Sequence, residues 1–240
     1  AYHSSRHASG LSVAQPPAMT APDLSLQRPS PSCRLVLASS SPYRRMLLQR
    51  LALAFDCIAP ELDESLLPAE PPRQDVSRLA LAKAQRVATL LLQQRNTDVR
   101  SGQPEPVLII GSDQALVLDD EIISKPADHS AAVAMLQRCA GRTVMFHCSW
   151  QLLQLAANGT VASLAAAVVP TEVEFRQLAD DEILRYIERE PALDCAGAFK
   201  SEALGISLFA ALRSDDPTAL IGLPLISLSA GLRQAGLALP

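Results

Sequence analysis

The chain has 240 residues, of which 48% are hydrophobic, and a formal net charge of −4. That length gives a sizeable core in one large or two small domains. The negative balance argues against non-specific binding to nucleic acid or an anionic membrane, and no apolar run is long enough to span a bilayer.

Residues 1–32 are rich in Ser, Pro, Ala and Gln and show no periodicity, which predicts a disordered extension ahead of a domain over residues 33–240. The opening AYHSSRHASG has no apolar signal-peptide core. Five scattered cysteines (Cys33, Cys57, Cys139, Cys148, Cys195) lack CxxC spacing. They fit a reducing cytoplasm better than a disulfide framework or a zinc site.

The first ordered stretch reads as a strand, Arg34 to Ala38, then a polar turn, Ser39-Ser40-Ser41. Pro42 then opens a helix with Ser41 as its N-cap. Free backbone N–H groups, the positive helix end, Arg44 and Arg45 together describe an anion site. They equally describe an ordinary βα unit with solvated arginines. A second strand follows over Phe55 to Ala59, and then an acidic, proline-punctuated loop. The helix from Arg73 to Gln94 carries an apolar stripe of Val76, Leu79, Ala80 and Val87, and Lys83 falls on that stripe.

A polar loop over Asn96 to Pro106 leads to a buried strand, Val107 to Gly111, which ends in Ser112-Asp113-Gln114. A hairpin is expected around Asp119-Asp120, with arms Ala115 to Leu118 and Glu121 to Ile123. A helix follows from Ser130 to Ala140, stopped by Gly141. Two antiparallel strands, Thr143 to Leu155 and Thr160 to Val169, flank Asn158-Gly159. Glu172 to Phe175 alternates as a separate strand. Asp180 to Arg189 is an amphipathic helix. The last part holds a loop (Asp194 to Ala203), a short strand (Ile206 to Phe209) and a helix near Leu225 to Leu237. The alternation predicts an α/β fold with a mixed sheet and flanking helices.

Asp113, at the carboxyl end of a buried strand, sits where a carboxylate can hold a metal or activate water. Taken as an isolated residue, it reads instead as a turn residue closing the hairpin. Asp63 and Glu64 could hold Mg²⁺ near a phosphate site, or form a solvated acidic loop. Lys83, Lys125 and Lys200 are singly surface residues. With Arg44 and Arg45 they supply the cations that a triphosphate requires. His129 and His147 have no inferable partner and read as structural.

Six segments, taken together, resemble the Maf family of nucleotide pyrophosphatases in order and spacing. They are Ser39-x-Ser41-Pro42-x-Arg44-Arg45, Leu62-Asp63-Glu64, Lys83-Ala84, Gly111-Ser112-Asp113-Gln114, Lys125-Pro126 and Cys195-Ala196-Gly197-x-Phe199-Lys200-Ser201-Glu202. The resemblance spans Arg34 to Leu237. It implies two lobes around a deep cleft, often in a homodimer. It also implies metal-assisted hydrolysis of a nucleoside triphosphate between its α and β phosphates, with Mg²⁺ or Mn²⁺ as cofactor.

By motif match, Asp113 would be the general base and would share the metal with Glu64. Ser39, Ser41, Arg44, Arg45, Lys83, Lys125 and Lys200 would bind substrate. Tyr43, Gln114 and Glu202 would set the base preference. The branch of the family that cleaves 7-methyl-GTP has Trp, Gln and Glu there, and the dTTP/UTP branch has Arg, Thr and Gln. This chain matches the first at two positions and keeps an aromatic at the third. Ser124 and Ala203 depart from the glycines usual at their positions. The rival expectations are dTTP/UTP cleavage and a non-catalytic nucleotide-binding regulator of cell division.

Overall fold

The computed structural model describes residues 33–97 and 104–240. The extension expected over residues 1–32, and most of the loop before Val107, lie outside the described residues. One seven-stranded mixed sheet organises the rest, in the order β2-β1-β3-β5-β6-β7, with β4 paired to β3. Its strands are β1 (Arg34–Ala38), β2 (Asp56–Cys57), β3 (Val107–Leu118), β4 (Glu121–Ile123), β5 (Thr143–Leu155), β6 (Val161–Phe175) and β7 (Phe209–Ser214). The helices are α1 (Pro42–Gln49), α2 (Pro72–Thr97), α3 (His129–Cys139), α4 (Asp180–Arg189) and α5 (Leu225–Gln234).

β1 pairs in parallel with β2 and β3, and the remaining pairings are antiparallel. On one face of the sheet α1 and α5 cover Leu35, Leu37, Leu108 and Ile110. On the other face α2 covers Val36, Ala38, Val107 and Ile109. A separate core gathers the far ends of β3 and β5 with α3, α4 and the end of β6. The alternation of β3 side chains between faces, period two, feeds all three cores.

The cleft follows from strand lengths. Along one edge of β3, β1 pairs with Val107–Gly111 and β4 with Leu116–Leu118. Among the described residues, no strand covers that edge from Ser112 to Ala115. The opposite edge stays paired to β5 throughout, with Asp113 opposite Ser149. The three polar residues therefore do not end the strand as expected. Their backbone remains in the ladder; Asp113 and Gln114 line the opening, whereas the Ser112 hydroxyl is buried against the Ser149 and Gly222 carbonyls.

Three other expectations are corrected. β6 runs through Pro170 without a break. The proline lies one residue before β7 begins to pair, at Thr171 opposite Ser214, an edge position that tolerates a missing N–H. The strand expected over Ile206 to Phe209 is instead a 3₁₀ turn, Leu204–Leu208, and β7 starts at Phe209. The Glu190 carboxylate accepts from the backbone N–H groups of Leu204 and Gly205, which tightens the chain there. α5 ends at Gln234, and Gly236 follows with φ +91°.

Candidate active site

The first strand-turn folds as its residues dictate. Ser41 caps α1, its side chain accepting from Arg44 N–H, and Pro42 occupies the first turn. Ser39 is buried and its hydroxyl accepts from Ser41 N–H. The positive end of α1 thus opens onto the uncovered edge of β3.

α2 reaches the same place because β3 carries a glycine. A Cβ at Gly111 would stand 2.0 Å from the Ala80 carbonyl oxygen, so only glycine permits this closeness. The stripe Val76, Leu79, Ala80 and Val87 is buried as the periodicity predicts, and Lys83, 4% exposed, lies within it. Its ammonium is not free to snorkel. Lys83 Nζ lies 2.5 Å from Asp113 Oδ1 and 2.9 Å from Glu64 Oε1. Asp113 is 6% exposed and Glu64 is largely solvated. One buried ammonium therefore gathers two carboxylates from distant parts of the chain. Asp63 turns away and accepts from Ser65.

A cavity of about 500 Å³ opens over this cluster, lined by Ser39, Ser41, Tyr43, Arg44, Glu64, Lys83, Asp113, Gln114 and Lys125. A smaller cavity of about 110 Å³ adjoins it, sharing Ser41, Tyr43, Arg44, Gln114, Lys125 and Asp194 and adding Phe199, Lys200 and Glu202. Arg45 is exposed and lines neither. Lys200 lines only the smaller one. Ala203 has φ −134°, outside the left-handed region that favours glycine.

Three parts of the site had no clear signal in the sequence. The first is the segment Asp216 to Leu223. Arg44 Nε and Ser112 Oγ both donate to the Gly222 carbonyl, and Gln114 Nε2 donates to the Leu220 carbonyl. Buried Asp216 holds this segment by accepting from Thr218 and from Ile226 N–H at the start of α5. The Asp216-Pro217 and Gly222-Leu223-Pro224 punctuation was the available hint. The second is Asp194, which accepts from the Tyr43 hydroxyl at 2.7 Å. Asp75, buried in the cavity wall and paired with Arg78, was also unforeseen. Burial pushes its carboxyl up, and nearby Glu70 and Asp113 add to that against the pull of Arg78.

Burial also raises the Tyr43 phenol to about 12, so its hydroxyl is a donor at any physiological pH. Burial works against ionisation of Asp194, but the Tyr43 hydroxyl and the Lys200 charge outweigh it and hold the carboxyl below its usual range. The Cys195 thiol is pushed up by burial to about 11 and shows no thiolate activation.

Glu64 and Asp113 offer hard oxygens of the kind a divalent cation takes, and the point on which they converge is occupied by the Lys83 ammonium. Among the described residues there is no cluster of three or more His, Cys, Asp or Glu side chains that could hold a metal by itself. The described helices include none long and apolar enough to cross a membrane.

Comparison with known proteins gives this geometry a family. The chain is 48% identical over 207 residues to a 7-methyl-GTP pyrophosphatase of Aromatoleum aromaticum, covering 86% of this chain and 98% of that protein. A 7-methyl-GTP pyrophosphatase of Xanthomonas axonopodis pv. citri is also 48% identical, with 86% and 99% covered. One of Nitrosococcus oceani is 44% identical over 214 residues, with 89% and 98% covered. The Maf-like protein family profile matches residues 34–235, which span the whole sheet and all five helices, and the chain belongs to that family.

Proposed function

We propose that residues 33–240 form a nucleoside triphosphate pyrophosphatase that converts 7-methyl-GTP, or a closely related modified purine nucleotide, to its monophosphate and pyrophosphate. The observation that carries this reading is the Lys83 ammonium holding Asp113 and Glu64 together in the wall of a cavity also lined by Ser39, Ser41, Arg44 and Lys125. The substrate named for its relatives supports the same choice.

In this reading the triphosphate lies in the larger cavity, against the α1 N-terminus, Arg44, Lys83 and Lys125. Asp113 takes a proton from water as the water adds across the α–β anhydride. Glu64 and Asp113 would hold Mg²⁺ or Mn²⁺, with water and phosphate oxygens completing its shell. When bound, the metal supplies charge neutralisation on the phosphates. The base enters the smaller cavity, where Glu202 accepts from N1–H and the exocyclic amine of a purine. A pyrimidine would leave that carboxylate unpaired. Arg45 has no part in this arrangement, and Lys200 belongs with the base rather than the phosphates.

Asp113→Asn tests the assignment. Pyrophosphate release from 7-methyl-GTP should fall by about 10²–10⁴-fold while the far-UV circular dichroism is unchanged. Turnover retained at the wild-type rate would remove Asp113 from the role of base. A parallel panel of GTP, UTP and dTTP separates the purine reading from pyrimidine cleavage.

A further inference from the structure

The smaller cavity already contains a cation. The Lys200 ammonium lies 5.5 Å from the centre of the Tyr43 ring and 3.7 Å from Asp194 Oδ1. The Tyr43 hydroxyl donates to the other oxygen of that carboxylate, Oδ2, at 2.7 Å. An aromatic face with a carboxylate hydrogen-bonded to its own hydroxyl is the chemistry of a cation site. The chain's own lysine fills it here.

We propose that Tyr43 and Asp194 together form the site that reads the positive charge of an N7-methylated purine, and that Lys200 is the internal cation which the base displaces. This rests on the purine reading above and adds Asp194 and Lys200 to the residues that determine specificity. The backbone supports such an exchange. Lys200 N–H is fixed to the Tyr186 hydroxyl at 3.3 Å. The preceding Phe199 is locked edge-to-face against Phe146, Phe175 and Phe209. The Lys200 side chain can therefore leave without the loop moving. A neutral guanine cannot replace the ammonium's charge and must enter beside it. A methylated guanine can take its place over the ring and next to the carboxylate. Asp194 is 56% exposed, so the charge effect is modest and falls with added salt.

The test is equilibrium binding of 7-methylguanosine monophosphate and guanosine monophosphate to the full chain, read as the ratio of their dissociation constants. Monophosphates are not turned over, so this ratio is independent of whether the chain releases pyrophosphate. Asp194→Asn should reduce the preference for the methylated ligand about two- to fivefold, and Lys200→Met should raise it by a similar factor. Added salt should lower the wild-type ratio more than that of Asp194→Asn. A merely structural role would weaken both ligands together and leave the ratio in place. The proposal is overturned by a wild type without preference, by an unchanged ratio in either variant, or by Lys200→Met lowering it. Absence of pyrophosphate release with these ratios intact would instead overturn the proposed reaction.

Discussion

Lys83 is the residue on which the site turns. Its side chain is 5% exposed and that of Asp113 9% exposed, so the pair sits where an orphaned charge is expensive. Replacing Lys83 by Met leaves a buried carboxylate without a counter-charge, which destabilises by about 3 kcal/mol or more. Replacing Asp113 by Asn is milder, because the ammonium keeps Glu64 and the amide can still accept. Denaturant unfolding should therefore show Lys83→Met well below wild type and Asp113→Asn close to it. Equal stability of Lys83→Met and wild type would mean that cavity water solvates Asp113 unaided. Lys83 was legible in the sequence because a lysine on an apolar helical stripe is anomalous. Asp194 was not. Nothing local marks an acid whose partner, Tyr43, lies 151 residues away in the chain.

At the scale of elements, function depends on how closely α2 lies on β3. Gly111 sets that distance. A methyl group there meets the Ala80 carbonyl at 2.0 Å and the Ala84 side chain at 2.9 Å, both inside contact distance. Gly111→Ala should push α2 outward, lowering stability by about 1–3 kcal/mol and carrying Lys83 away from Asp113. Pyrophosphate release should fall along with the denaturation midpoint. Full activity with lost stability would show that α2 and its lysine move together with the acid. The helices were mostly legible, since caps, stripes and punctuation are local signals, and the expected span of α4 matches the structure. The strands were less so. β3 and β6 both outrun their expected ends, Gly111 and Val169, because a polar residue or a proline ends a strand only when its neighbours leave it unpaired. Ile206 fell in a turn because the carboxylate of Glu190, the C-cap of α4, gathers the backbone there.

The whole molecule places its cleft between two packed halves that share strands. β3 and β5 contribute Leu108 and Trp150 to one core, and Leu116 and Phe146 to the other. This arrangement could not be read along the chain, because the gap on the edge of β3 exists only once β1 and β4 have both paired there. Shared strands have a thermodynamic consequence. Neither half can unfold without fraying the sheet on which the other packs, so the described fold should melt as one unit. The chain's single tryptophan makes this measurable. Trp150 is 3% exposed, its Nε1 donates to Ser227 on α5, and its ring fits over Gly231 of the same helix. Its fluorescence therefore reports the half built on α1 and α5, whereas far-UV circular dichroism sums all helices, including α3 and α4 of the other half. In urea the two signals should trace one transition with a common midpoint. A dichroism curve with a second phase that the tryptophan does not follow would show that the core around Phe146 and Phe199 opens by itself. The smaller cavity, whose wall includes both of those rings, would then be a separately folding part and not a fixed extension of the larger one.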